Sequence, residues 1–169
     1  LPQTLNSIGN NAFESCNSLE SIIIPNGITT IQNYTFLGCR NLKYVNIPNT
    51  IISVGVGAFS NCESLESITL PEGLTKIGSF AFSGCKSLTS FIIPSTVTSI
   101  EEHAFRFCSN LASIVIPKNV SKMGFEVFEQ CSNLTIYCEI SSPLSGWNIE
   151  WNKEYKGKYV PVVWNYKEN

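Results

Sequence analysis

Apolar and polar residues alternate in a short motif that keeps returning along the chain, L-x-x-φ-x-φ with φ apolar. It is carried first by Leu19, Ile22 and Ile24 and next by Leu42, Val45 and Ile47. A period of two predicts a strand with one face turned inward. Each motif is followed by proline, as at Pro25 and Pro48, which stops the strand by removing a ladder donor. Apolar residues then recur three apart, as at Ile28 and Ile31 or Leu74 and Ile77, which predicts a turn and a second short extended piece. Ala12, Phe13 and Cys16 follow at spacings of one and four, which predicts a single helical turn leading back to the next strand.

These elements keep a fixed clock. Pro2, Pro25, Pro48, Pro71, Pro94 and Pro117 recur at intervals of 23, and so do Phe13, Phe36, Phe59, Phe82, Phe105 and Phe128. Cys16, Cys39, Cys62, Cys85, Cys108 and Cys131 follow the same interval, as do Leu19, Leu42, Leu65, Leu88, Leu111 and Leu134. Self-similarity at such a period marks a solenoid with one supersecondary unit per repeat. The expected architecture is therefore a stack of about six coils over residues 1–139. The period fails after Leu134-Thr-Ile-Tyr-Cys138, which is one residue short and would turn Ile136 and Cys138 inward. Residues 140–169 hold all three tryptophans and a strand-like Tyr159-Val-Pro-Val-Val-Trp164. We expect them to form an aromatic cap on the last coil of the same domain. Leu1-Pro2 corresponds to the end of a strand, so the chain is expected to be a fragment of a longer array or a processed form.

The unit resembles the 23-residue leucine-rich repeat of the BspA, or Treponema pallidum, type. Leu74-Thr-Lys-Ile-Gly-Ser-Phe-Ala-Phe-Ser-Gly-Cys-Lys-Ser-Leu88 follows its pattern closely. Departures are mild: Thr35 and Val127 stand for the usual alanine, Met123 for isoleucine, and Gln32 and Glu101 for a frequent glycine. The resemblance covers residues 1 to about 138 and implies an α/β leucine-rich repeat solenoid, a right-handed β-α superhelix. It also implies a cell-surface or secreted protein of host-associated microbes that serves adhesion, and a C-terminal cap of the kind seen at Ser145-Gly-Trp147 through Pro161-Val-Val-Trp164.

Composition narrows the chemistry. Only 14% of residues are charged, against about a quarter in an average domain, so Ser, Thr and Asn must finish the surface. Two arginines and a net charge of −2 disfavour nucleic acid, and no run approaches the ~18 apolar residues of a membrane span. There is no aspartate at all, which removes the usual acid of a Ser-His-Asp triad. The six periodic cysteines are expected to be one small buried position copied six times. No C-x₂-C pair suggests zinc. Cys138 lies off the clock, and pairing with Cys131 stays open. His103, the single histidine, is expected to be an exposed surface residue with no nucleophile or second ligand beside it. Glu101 and Glu102 are adjacent and so cannot flank a substrate as a glycosidase pair. Asn33, Asn119 and Asn133 head glycosylation sequons that matter only in a eukaryotic host. Neither an enzyme nor a cofactor is expected.

What remains is surface. In a horseshoe or solenoid the outward residues of the parallel strands form a continuous concave face, the usual binding face of repeat proteins. One column would be Ser21, Tyr44, Ser67, Ser90 and Ser113, and the next Ile23, Asn46, Thr69, Ile92 and Val115. Exposed Ile23, Ile92 and Val115 point to a partner, or reflect no more than the liking of strands for β-branched residues. A host or cell-surface protein or peptide is the expected ligand. The competing reading is a structural spacer that presents another domain of a longer protein.

Overall fold

The computed structural model describes residues 1–154 and 157–167. Its strands are β1 (Ser21–Ile23), β2 (Thr30–Ile31), β3 (Tyr44–Asn46), β4 (Ser53–Val54), β5 (Lys76–Ile77) and β6 (Ser90–Ile92). They continue as β7 (Ser99–Ile100), β8 (Ser113–Ile116), β9 (Lys122–Met123), β10 (Thr135–Cys138) and β11 (Val162–Trp164). Every pairing between them is parallel. The L-x-x-φ-x-φ segments build the first face, as the pair β1–β3 and the sheet β6–β8–β10–β11, while β2, β4, β5, β7 and β9 build the second. Between the two parts of the first face, Ser67–Thr69 forms no strand, yet Ile68 and Leu70 are still buried. The chain is thus a parallel β-solenoid of about six turns.

Each turn after a strand is closed by the proline carbonyl, which accepts the amide three residues on, for example Ile28 N to Pro25 O at 3.1 Å and Val97 N to Pro94 O at 3.0 Å. The apolar columns fill the interior, where all seven of Phe36, Phe59, Phe82, Phe105, Leu42, Leu65 and Leu88 are fully buried. The phenylalanines stack in one file from Phe13 to Phe128, with ring centroids 5.2–5.6 Å apart and planes within 8–11°. That spacing is the strand separation of a sheet, about 4.8 Å, plus a small offset.

The expected helical turn is not there. Residues 10–15 and their repeats are hydrogen-bonded turns, and among the described residues no α-helix forms. The physical reason is width: a helix is about 10–12 Å across with its side chains, twice the coil spacing. The corner instead flattens by alternating backbone hand. Asn11, Tyr34, Gly57, Phe80, His103 and Glu126 all have φ between 44° and 59°, and Ser15, Asn61, Phe107 and Gln130, four residues later, have φ of 57–60°. Alternation turns the amides of Tyr34, Phe36 and Gly38 toward Val56, Ala58 and Ser60 of the next coil, at 2.8 Å each. The corner is therefore a third inter-coil ladder. Strands of the first face turn one side to the core and the other, the outer face, to solvent.

Chain beyond Cys138 makes one more circuit without the consensus side chains. Trp147 bridges Met123 on the second face, and Glu150 O and Trp151 O accept Glu126 N and Val127 N at the corner. β11 then joins β10 on the first face. Trp151 stands edge-on to Phe128 at 6.2 Å, and the Trp147 ring meets it at 4.9 Å. Trp147 Nε1 donates to Val120 O at 2.9 Å.

Candidate interaction surface

Strand pleating and register decide what this protein shows to the outside. On β1 and β3, Ser21 lies beside Tyr44 and Ile23 beside Asn46. On the larger sheet Ser90, Ser113 and Thr135 form one row, and Ile92, Val115, Tyr137 and Val163 form the next. All ten predicted face residues, Ser67 and Thr69 of the strandless third coil included, point away from the core; Val115 is half-buried and the other nine are exposed. Among the large apolar side chains of this face, exposure is largest at Ile92 with 81% and Ile23 with 61%. The sequence reading missed Thr135, Tyr137 and Val163. Alternation with inward Ile136 and Cys138 could have placed the first two, but nothing in the sequence gives the register of β11. Tyr137 packs on Tyr166 at 4.9 Å, which adds a pair of aromatic rings to the row.

Charge is sparse on this face. Tyr44 Oη donates to Glu66 Oε2 at 3.0 Å, and that bond to a carboxylate pushes the Tyr44 hydroxyl above its ordinary pKa. Glu20 and Lys43 pair at 3.5 Å but are well exposed, so that ion pair contributes little. On the second face, Glu101 takes Lys122 and Lys76 at 2.9 and 3.3 Å. Burial opposes its ionisation, yet the hydrogen bonds from Lys122 and Ser99 outweigh burial and hold its pKa below the ordinary value. Glu101 is thereby a tie between three coils, and Glu102 is exposed apart from it.

His103 is not the exposed residue expected. Its side chain is 15% accessible, lying on the Phe80 ring at 4.8 Å and against Phe125 edge-on at 5.5 Å. The corner ladder brings it there, because the position is defined by backbone hand and not by polarity. His103, Glu126 and Glu129 could each offer a ligand atom within 4.8 Å of one another. Buried Glu129, however, is already ion-paired to the Arg106 guanidinium, so a metal ion would have to displace it.

The cysteines are all free, which settles Cys131 and Cys138 as unpaired thiols. Cys138 occupies the inward end of β10 beside Ile116. Cys39, Cys62, Cys85, Cys108 and Cys131 are buried as expected, but Cys16 is exposed because no coil covers it. They are more than small hydrophobes. Each buried thiol of the series donates to the carbonyl of the phenylalanine in the preceding coil, at 2.9–3.3 Å. Burial raises the pKa of Cys39 to about 11 and of Cys85 and Cys138 to about 12. The polar composition has the same use. Thr50 and Thr96 hydroxyls and the Asn41, Asn119 and Asn133 amides donate to carbonyls of the coil before them, at 2.6–2.9 Å. Thr35 fits its buried alanine site by donating to Gln32 O at 2.8 Å.

A stack of parallel coils with a solvent-facing strand row defines a leucine-rich-repeat module. The chain matches the BspA type leucine rich repeat region in 6 copies over residues 6–135, and it belongs to that family. Among solved structures it is similar to the T. pallidum leucine rich repeat protein, at 33% identity and a TM-score of 0.77, over 80% of this chain and 66% of that one. It is also similar to a leucine rich cell surface protein of Faecalibacterium prausnitzii, at 31% identity and a TM-score of 0.62, over 90% of this chain and 48% of that one. The pneumococcal vaccine antigen PcpA, at 23% identity and a TM-score of 0.66 over 84% of this chain and 34% of that one, shares the fold. This chain therefore spans less than two thirds of each of these proteins. No curated protein sequence matches it.

Proposed function

We propose that the chain is a non-catalytic recognition module of a cell-surface or secreted protein, and that it binds a protein or peptide on the outer face of the first sheet. One observation carries this reading: Ile92, Val115, Tyr137 and Val163 stand side by side across four paired strands, with Ile92 and Val163 exposed. A row of adjacent apolar side chains in water is the feature expected of a protein contact. Leucine-rich-repeat domains of this family generally mediate protein interactions and are generally not catalysts. Surface location draws support from the printed description of the Faecalibacterium relative as a cell surface protein. No helix among the described residues is long and apolar enough to cross a membrane. Residues 140–169 serve in this reading as the cap that covers the sixth coil.

The test is surface-resonance binding of purified extracellular-matrix and cell-surface proteins to the chain and to Tyr44→Ala/Ile92→Glu. Both substituted side chains are exposed, at 54% and 81%, so the fold should be kept. Loss of a specific binder in the variant supports the face. A spacer that only presents another domain predicts no binder, or one that ignores both substitutions.

A further inference from the structure

We infer that the outer face is selective for an extended protein segment that carries a lysine or arginine beside an apolar side chain. This rests on the reading of the face as a docking surface. Two hollows of about 230 Å³ flank Ile92, one reaching Ser67, Thr69 and Pro94 and the other Val115 and Pro117. Both include Glu72, and the second also includes Glu139. Pockets for drug-sized molecules run to about 300–1,000 Å³, so each hollow suits single side chains of a longer ligand. Glu72 and Glu139 are held by neutral donors, the Ser95 hydroxyl at 3.1 Å and the Lys118 amide at 2.8 Å. Among the described residues neither is in an ion pair. Two oriented carboxylates without a cation, set against an exposed isoleucine, complement a side chain that is itself aliphatic with a positive tip. An acidic partner would meet like charge there.

The test is a nitrogen-15 NMR titration with two pentapeptides at millimolar concentration, acetyl-Thr-Ile-Lys-Val-Thr-amide and its Glu counterpart. The lysine peptide should shift the amides around Ile92, Val115, Glu72 and Glu139, and the glutamate peptide should bind several-fold more weakly. Glu72→Gln/Glu139→Gln should weaken the lysine peptide by about fivefold, as expected of two exposed contacts, and should remove the preference. Equal binding of both peptides on this face would overturn the charge selectivity while leaving the docking face intact. Shifts elsewhere only, or none with either peptide, would overturn both.

Discussion

The phenylalanine file makes a graded prediction about stability. Phe82 is fully buried and meets three rings: Phe59 at 5.4 Å, Phe105 at 5.6 Å and Phe91 edge-on at 4.9 Å. Phe13 opens the same file, is only partly buried, and meets Phe36 alone at 5.3 Å. Truncating a buried phenylalanine to alanine costs about 3–5 kcal/mol, and each lost aromatic pair adds to the upper part of that range. Phe82→Ala should therefore lose about 4–5 kcal/mol. Phe13→Ala, which leaves no enclosed cavity, should lose only about 1–2 kcal/mol, part of the burial free energy of one side chain. At about 2–4 °C per kcal/mol for a chain of this size, the Tm values should fall by roughly 8–20 °C and 2–8 °C. Urea melts followed both by far-UV circular dichroism and by tryptophan fluorescence measure the two losses. The tryptophans lie in the last circuit, so the second probe reports that end, and coincident curves test whether the stack unfolds as one unit. Equal losses at Phe13 and Phe82, or a loss below about 1 kcal/mol at Phe82, would refute the claim that inter-coil packing sets stability.

Four further outcomes are expected. In native protein a disulfide reagent should modify Cys16 quickly and the six buried thiols only after unfolding; two or more fast thiols per chain would contradict the ladder. Because burial raises the folded-state pKa of Cys39 to about 11 and of Cys85 to about 12 from 9.0, their contribution is whole below about pH 9 and is lost as pH climbs toward those values. Tm should then drop steeply above pH 9, by up to about 1.4 kcal/mol of stability per pH unit per thiol, and Cys85→Ala should flatten the slope. Trp147→Phe keeps a ring but strands Val120 O, so urea melts should show a loss of about 1–3 kcal/mol; no change would remove that hydrogen bond from the account. Gly78→Ala would place Cβ 2.6 Å from the Gly55 backbone and should cost about 1–3 kcal/mol. Gly9→Ala, with open space around it, should stay within about 0.5 kcal/mol in the same melt.

How far the sequence reaches can be judged residue by residue. Alternation at Ile22 and Ile24 or Ile114 and Ile116 fixed which side of each strand is buried, because a pleat sends neighbouring side chains to opposite faces. The fixed interval stacked equal residues on equal residues, so the phenylalanine file and the cysteine column were legible before any coordinates. Spacing alone misread the corner. Apolar residues one and four apart suit a helical turn, and a local pattern carries no record of how close the next coil comes.

Only the tertiary structure showed that coils at strand spacing leave no room for a helix, so that the backbone alternates hand and pairs outward instead. Asn11, Tyr34, Gly57, Phe80, His103 and Glu126 share that left-handed conformation but no side-chain property, which is why the sequence could not display it. The same holds for the thiol-to-carbonyl bonds, since a carbonyl has no letter in the sequence. It holds again for the last circuit, where Tyr137 and Val163 lengthen the apolar row. Repetition writes the side-chain register into the chain, whereas backbone hand, inter-coil hydrogen bonds and the pairing of a strand outside the repeat exist only once the coils are stacked.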